Sequence, residues 1–341
     1  ASAASGSWRG ARTPGHRSIV ALRASDAASG GGEVGKDQRN VALVFAKPHA
    51  CTPPFLELLP QRLAARGVEI LRRGSVAAER IDAEGIIDRH YSSIAQIGML
   101  EDLGELGLGE AELEIFADAY GLSFAEALAG GQVHSAATAV RALGVSPGEL
   151  LEQCLAAGYA KLRSGLYCAR LQDQAGGWVY VMNGFYARMR EKFVADGAEV
   201  HWFLVSFDGR SLPWREFRAA VVGSTNPAEA AEGSLRAELL ARWRELGLAA
   251  EPNYQDNGVH ASAGPLEALR ERTIWLGDDA KVDAFGRALL ARGVTEDKLL
   301  ALLDNAQVAA SAGDVEGAFD ASEDMDTAPA LDFLTSAVIK G

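Results

Sequence analysis

The sequence is poor in cysteine, in long apolar runs and in basic charge, and each shortage argues against a class of protein. Its three cysteines, Cys51, Cys154 and Cys168, lack the paired spacing of metal ligands and are odd in number, which argues against a zinc site or a disulfide framework and for a reducing compartment. No stretch approaches the roughly 18 consecutive apolar residues of a membrane helix. The formal net charge of −13 argues against nonspecific nucleic-acid binding, which requires lysine and arginine to neutralise phosphates.

The 341 residues, 48% of them hydrophobic, suffice for a sizeable core in one elaborated domain or in two. The first 25 residues contain four arginines and five serines but no acidic residue. Because this composition is typical of organelle transit peptides, we assign residues 1–39 to a transit peptide with a disordered linker. We predict the plastid (chloroplast stroma) as its location, with the mitochondrion second. A disordered basic tail is the alternative.

Hydrophobic periodicity predicts an α+β fold. The predicted elements are a strand at 41–46, a helix at 54–66, a strand at 68–72, helices at 82–95 and 186–194, a strand at 199–207, a helix at 213–222 and a strand at 257–261. This order fits a ferredoxin-like antiparallel sheet with helices on one face.

One histidine lies at the end of the last predicted strand. His260 stands in the segment Asn257–Ser262, and Gly264 begins a helix that carries Glu271. A carboxylate on this helix can hold one imidazole nitrogen and fix the tautomer, which leaves the other nitrogen for nucleophilic attack. A lone histidine of this kind is more often structural. The upstream segment 223–236, however, supplies the hydroxyl, guanidinium and turn residues that a polyphosphate requires.

Together these segments resemble nucleoside diphosphate kinases. The family pattern is a GATNP-type loop, a GTIR-type turn and an N-x-x-H-G-S-D strand end, to which 223–236 and 257–263 are similar. Residues 40–48 resemble its first strand, which ends in Lys-Pro, and residues 89–91 resemble its helix with a nucleotide-contacting tyrosine. The resemblance covers 40–95 and 178–277.

The resemblance implies a role for each matching residue. His260 matches the histidine that is transiently phosphorylated, and Glu271 matches the glutamate that orients it, with Ser262 as a partner of that carboxylate. Tyr186, or its neighbour Phe185, occupies the place of the aromatic residue that stacks on the base. The residues that match contacts to the phosphates and ribose are Lys47, Tyr91, Thr225, Arg236 and Asn257. We also place Lys47 among the catalytic residues.

The chain departs from the family pattern at several positions. Arg218 matches a phosphate-binding arginine only if one extra residue is allowed before Gly223, and one residue turns a helical side chain by about 100°. The aspartate after the family's Lys-Pro is His49, and the glycine and aspartate after its histidine are Ala261 and Ala263. None of these changes removes the nucleophile.

The implied activity is nucleoside diphosphate kinase, which moves the terminal phosphate of a nucleoside triphosphate to a nucleoside diphosphate through a phosphohistidine. Mg²⁺ is expected to bind mainly through the diphosphate oxygens, since no carboxylate cluster is visible. Relatives assemble as hexamers or tetramers, so a homo-oligomer is also implied. A noncatalytic kinase-like scaffold within a larger assembly is the alternative, which Ala263 and the spacing of Arg218 favour.

The implied kinase-like domain comprises 40–96 and 178–277. Helical stripes predict 97–177 to be a helical insertion that caps the cleft, recruits a protein partner or forms a surface embellishment. Residues 278–341 are predicted to be a helical pair over 281–304 followed by an acidic, solvated tail, in which 331–339 is a candidate docking segment.

Overall fold

The computed structural model describes residues 39–309 and 315–340. The predicted transit peptide and linker (1–39), with the plastid address, lie outside the described residues except for Arg39, which is in a strand. The described strands are β1 (Arg39–Ala46), β2 (Glu69–Ala77), β3 (Val133–Ser135), β4 (Ala160–Arg163), β5 (Leu166–Gln172), β6 (Trp178–Met182), β7 (Glu199–Asp208), β8 (Val259–Ala261), β9 (Gln307–Ala309), β10 (Val315–Gly317) and β11 (Val338–Ile339).

The α-helices are α1 (Pro53–Ala65), α2 (Ala78–Ala83), α3 (Ile86–His90), α4 (Ser92–Gly98), α5 (Glu110–Tyr120), α6 (Phe124–Ala129), α7 (Ala136–Leu143), α8 (Pro147–Ala157), α9 (Phe185–Val194), α10 (Trp214–Glu216), α11 (Leu235–Arg242), α12 (Pro265–Glu271), α13 (Ala284–Ala291), α14 (Glu296–Leu303), α15 (Ala318–Ala321) and α16 (Thr327–Ser336). Two π-helical turns follow α10 and α12, at Phe217–Val222 and Arg272–Leu276. Short 3-10 turns occupy Pro48–Ala50, Leu103–Glu105 and Pro227–Glu229. In the part of the chain that the structure describes, no helix is both long and apolar enough to cross a membrane.

The central sheet has the strand order β2-β7-β1-β8, and all of its neighbouring strands are antiparallel. This is the ferredoxin-like arrangement, so the predicted α+β fold is confirmed. β1 lies inside the sheet and pairs with β7 along its whole length, from Arg39 opposite Asp208 to Ala46 opposite His201. Its residues from Ala42 to Ala46 are completely buried. The end of β1 therefore fixes the position of the next residue, Lys47, at one end of the central strands.

Helices cover both faces of this sheet, whereas the sequence analysis expected them on one. Helix α1 packs on the face that carries Val44 and Phe203. Helices α2, α3 and α9 supply residues to the opposite face, which carries Phe45 and Trp202. Because successive side chains of β1 and β7 point to opposite faces and most of them are apolar, each face needs its own cover.

The insertion is not purely helical, contrary to the prediction. It contains a four-stranded sheet of order β3-β6-β5-β4, in which β3 runs parallel to β6 and the other pairs are antiparallel. This sheet includes β6, which the sequence analysis had placed in the kinase-like domain. Phe116, Leu166 and Tyr180 lie in one of the two cores around it. Successive side chains of β5 and β6 point to opposite faces of this sheet, and both faces are apolar. Helices therefore pack on each face.

The acidic C-terminal tail is folded where the structure describes it, although we expected it to be solvated. Helices α13 and α14 lie where the helical pair was predicted, and β9, β10 and β11 form a small sheet of order β10-β9-β11. Leu331 and Leu334 of α16 are buried against Leu269 and Leu289. The candidate docking segment therefore docks onto its own chain, because its apolar side chains find a core there.

Candidate active site

A cavity of about 790 Å³ lies where β1 ends and β8 runs beside it. Seven of the predicted site residues line it, namely Lys47, Tyr91, Arg218, Thr225, Arg236, Asn257 and His260. These residues come from segments more than 200 positions apart in the chain. The fold therefore brings together residues that the sequence analysis had selected by motif alone.

His260 lies on the edge strand β8, opposite Phe45 of β1, and its ring stacks on that phenyl ring with centroids 4.5 Å apart. Its Nε2 lies 2.5 Å from Oε1 of Glu271 at the end of α12. The side chain of His260 is 16% exposed, whereas that of Glu271 is only 2% exposed. Nδ1 makes no hydrogen bond with any described residue. The Nε2 edge of the imidazole is thus bonded to the buried carboxylate of Glu271, and the side chain remains partly exposed at the cavity.

Ser262 fixes the second oxygen of that carboxylate. Its hydroxyl donates to Oε2 of Glu271 at 2.5 Å, and it accepts a hydrogen bond from the amide of Leu43 at 2.9 Å. Ser262 is fully buried, so water does not compete for these bonds. A chain of hydrogen bonds therefore runs from the backbone of β1 through Ser262 and Glu271 to His260.

Burial and charge together keep the imidazole neutral. Burial lowers the pKa of His260 well below its usual value, and the positive charges of Lys47, Arg236 and Arg218 lower it further. Burial also raises the pKa of Glu271, while the hydrogen bond from Ser262 favours its carboxylate form. A neutral imidazole that donates Nε2–H to the carboxylate carries its lone pair on Nδ1, the atom free to react.

His90 is a neighbour to which the sequence analysis assigned no chemistry. Its ring packs edge-on against His260 with centroids 4.7 Å apart, and its Nδ1 accepts a hydrogen bond from Trp275 Nε1 at 3.2 Å. Burial lowers the pKa of His90 to about 3, so it remains neutral. Donor atoms of His90, His260 and Glu271 lie close enough to hold a metal ion. However, Nδ1 of His90 and Nε2 of His260 already take part in hydrogen bonds, so we interpret the group as a hydrogen-bonded cluster.

Lys47 and Arg236 bring positive charge to the cavity in different ways. Burial, helped by the charge of Arg236, lowers the pKa of Lys47 to about 8, and its amine makes no ion pair with a described residue. The Nε and Nη2 atoms of Arg236 donate to the carbonyl of Val259 at 3.2 and 2.7 Å, and Nη1 donates to that of Gly223 at 2.8 Å. Three of the five guanidinium N–H groups thus join β8 to the loop, which leaves two for a ligand.

Arg218 reaches the cavity because its helix widens by one residue. The segment Phe217–Val222 is π-helical, and the amide of Gly223 donates to the carbonyl of Arg218 at 2.9 Å, five residues back. An extra residue in an α-helix would turn the side chain away by about 100°, whereas a π-helical turn absorbs that residue locally. The spacing that seemed to exclude Arg218 is therefore accommodated by the backbone.

Arg218 is paired with two acidic residues that the sequence analysis did not connect with the site. Its Nη1 lies 2.6 Å from Oε1 of Glu323 and donates to Oδ1 of Asp324 at 2.7 Å. Both belong to the C-terminal segment that was assigned to a solvated tail. More than 100 residues separate them from Arg218, and the local sequence contains no signal for this contact.

Asn257 carries a buried polar atom that has no hydrogen-bond partner among the described residues. Its Nδ2 donates to the carbonyl of Thr225 at 3.2 Å, whereas its Oδ1 is buried without a partner among the described residues. Burying an unpaired acceptor costs free energy unless a ligand satisfies it. Asn257 and Thr225 thus form a wall of the cavity that contains an unsatisfied acceptor.

The structure does not bring Tyr186 or Phe185, which we expected to stack on the base, to the cavity. Tyr186 is fully buried and its hydroxyl donates to Oδ1 of Asp88 at 2.6 Å, while the ring of Phe185 packs 5.9 Å from those of Tyr159 and Tyr167. The core of the insertion includes both aromatic side chains, and they are therefore turned away from His260.

No protein-family model and no curated protein matches the chain in sequence. Solved structures similar to it include nucleoside diphosphate kinases from Encephalitozoon cuniculi (14% identity, TM-score 0.33, 70% of this chain and 90% of that chain) and Pyrobaculum aerophilum (17%, 0.33, 70% and 95%). A third is the enzyme from Borrelia burgdorferi with bound vanadate and ADP (15%, 0.32, 70% and 87%). Likenesses of this size do not assign the chain to a family.

Proposed function

We propose that this chain is a divergent nucleoside diphosphate kinase that transfers phosphate through a phosphohistidine at His260. One observation carries the proposal. His260 is held at Nε2 by the buried carboxylate of Glu271, and its Nδ1 remains unbonded beside a cavity that also contains Lys47, Arg218 and Arg236. A structural histidine has no need for a free nitrogen facing three cationic side chains.

In the first half-reaction, the Nδ1 lone pair of His260 attacks the terminal phosphorus of a nucleoside triphosphate. The N–P bond forms as the bond from phosphorus to the bridging oxygen breaks, and the nucleoside diphosphate leaves with that oxygen. The imidazole becomes more positive, and the Glu271 carboxylate stabilises it through Nε2–H. A second nucleoside diphosphate then attacks the phosphohistidine, which restores neutral His260.

The other cavity residues suit the parts of a nucleotide. Lys47 and the two free N–H groups of Arg236 are donors for phosphate oxygens, and Thr225 offers a hydroxyl group. The unpaired Oδ1 of Asn257 suits a ribose hydroxyl. Tyr91 is the one tyrosine, phenylalanine or tryptophan among the described residues that line the cavity, so it would contact the base or sugar of a bound nucleotide.

The residues fit Mg²⁺ only as part of a nucleotide complex. The cavity's carboxylates already have partners, since Glu267 accepts from the amide of Ala263, Glu229 from Asn226, and Glu323 and Asp324 contact Arg218. These engaged groups do not form an open cage of oxygen ligands, so phosphate oxygens and water would supply most of the ligands. When bound, the ion would neutralise part of the phosphate charge.

Incubation with γ-³²P-labelled ATP tests the proposal directly. The wild-type chain should acquire an acid-labile, alkali-stable label, and a nucleoside diphosphate should then remove it. His260→Ala should abolish the label. His134→Ala is the matched control, because His134 lies on β3 in the insertion, outside the cavity. An unlabelled wild type that is folded would refute phosphohistidine chemistry.

A noncatalytic scaffold is the second candidate, and the pairing of Arg218 with Glu323 and Asp324 favours it because two carboxylates already occupy a phosphate-binding group. In that case the insertion or the C-terminal extension would bind a protein partner. A pull-down with the full chain, run beside the labelling assay, separates the two functions. A strong partner together with no label supports the scaffold, whereas turnover supports the kinase.

A further inference from the structure

The C-terminal extension forms part of the cavity wall. The amide of Asp324 donates to the carbonyl of Ala263, two residues after β8, at 2.9 Å. Asp324 adopts a left-handed backbone (φ +60°), which aspartate tolerates better than most residues. At Gly264 a Cβ atom would lie only 2.8 Å from the carbonyl oxygen of Ser322. The small residues at this corner thus let the backbone of 322–324 approach closely.

Hydrogen bonds hold this segment on both sides, on one side to the kinase-like domain and on the other within the extension itself. Oδ1 of Asp326 accepts from the amide of Trp214 at 2.8 Å and from Nδ2 of Asn40 at 2.6 Å. On the other side, the hydroxyl of the buried Ser322 donates to the carbonyl of Ala318 at 2.7 Å. Glu323 and Asp324 are therefore held at the cavity by fixed backbone on both sides.

These two side chains change the charge that a ligand meets. Four basic and four acidic side chains line the cavity, and the extension contributes two of the acidic ones. Both contact the same Nη1 atom of Arg218. Without Glu323 and Asp324 the cavity would have an excess of positive charge, which is the condition for tight binding of a polyanion.

We propose that Glu323 and Asp324 set the affinity of the cavity for phosphate groups, because they neutralise Arg218 and occupy its Nη1 atom until a phosphate replaces them. That the phosphate belongs to a nucleotide rests on the proposed kinase function. The competition between phosphate and the two carboxylates for Arg218 does not depend on it. A diphosphate group that binds Nη1 of Arg218 displaces at least one carboxylate from that atom. A nucleoside without phosphate does not compete with the carboxylates for Arg218.

Titration calorimetry with inorganic pyrophosphate as the probe tests this inference on the full chain. Glu323→Gln combined with Asp324→Asn should lower the Kd about tenfold, with a steeper dependence on salt, because the phosphate then meets Arg218 without a rival. Adenosine should bind both proteins equally. The matched control is Asp297→Asn with Glu316→Gln, which removes the same charge from exposed sites of the extension and should leave the Kd unchanged.

Pyrophosphate binding to the double variant no more tightly than to the wild type would overturn the proposal. If the double variant does not fold, Glu323→Gln alone serves, since Glu323 contacts Arg218 through an exposed side chain, and about threefold tighter binding is expected. A normal phosphohistidine label with unchanged pyrophosphate affinity refutes this inference alone. Tightened pyrophosphate binding without any label refutes the kinase function and leaves the inference standing.

Discussion

The base and the rim of the cavity hold their charged groups in opposite ways. At the base, Glu271 is 2% exposed and each of its carboxylate oxygens has a fixed partner. At the rim, Arg218, Glu323 and Asp324 are each between 33% and 44% exposed. Solvent screens charges at the rim, whereas it does not compensate for a lost group at the base. Removal of the buried charge at the base should therefore have a large effect, whereas removal of a charge at the rim should have a smaller one.

Among substitutions that keep His260, the largest effect should come from Glu271→Gln, which keeps the shape of the side chain but removes its charge. The imidazolium-like transition state would lose its stabilising carboxylate, so the rate of His260 labelling should fall on the order of 100- to 1,000-fold. Single-turnover labelling with γ-³²P-ATP measures this rate. Glu57→Gln, an exposed position on α1, is the control. Labelling of Glu271→Gln at the wild-type rate would mean that the charge of the carboxylate has no catalytic role.

Lys47 should make nucleotide binding sensitive to alkali. Its pKa is lowered to about 8, so its charge is present below that pH and is lost above it. A bound phosphate favours the charged amine, so the affinity for ADP should fall as the pH rises through about 8. Lys47→Gln should weaken binding roughly 10- to 100-fold at neutral pH, because a charge-assisted hydrogen bond is lost. It should also flatten this limb of the pH profile, which calorimetry from pH 6.5 to 9.5 would follow. A limb that persists in Lys47→Gln must belong to another group.

Ser262→Ala should also change a pH dependence, here that of the labelling rate, and its effect should be smaller. Its hydroxyl favours the carboxylate form of Glu271, so its removal should raise the pKa of that group further. Activity should then be lost at a higher pH as the solution is acidified, and the labelling rate at neutral pH should fall about tenfold. The pH dependence of the labelling rate distinguishes this shift from simple destabilisation. If the acidic limb of the pH profile were unchanged, Ser262 would have no effect on the ionisation of Glu271.

The sequence predicted the base of the cavity better than its rim, for a physical reason. His260, Glu271 and Ser262 lie within 12 residues, on a strand and the helix after it, so local spacing fixes their geometry. Arg218 depended on a π-helical turn, which side-chain periodicity alone does not reveal. Glu323 and Asp324 reach the site through tertiary packing, and their own sequence reads only as an acidic tail.

The insertion was misread although its sequence carried a signal. Leu166–Gln172 and Trp178–Met182 are rich in apolar, aromatic and β-branched residues and flank the turn-forming segment 173–177, which contains two glycines. This is the pattern of a β-hairpin with a five-residue loop. The position of Tyr186 outside the cavity follows from this hairpin, because a segment that contributes a sheet and its own core can recruit the aromatic residues of the next helix.

The smallest effect on function should come from Tyr186→Phe, which separates the insertion core from the cavity. The variant loses the hydrogen bond to Asp88, so the free energy of unfolding should fall by about 1 kcal/mol, while the Kd for ADP should not change. Chemical denaturation and calorimetry measure the two quantities. Tyr167→Phe is the matched control, since its hydroxyl bonds to no described residue and its loss should leave the stability nearly unchanged. A clear loss of ADP affinity in Tyr186→Phe alone would mean that this tyrosine supports the nucleotide site through the helix that carries it. The insertion core would then not be functionally separate from the cavity.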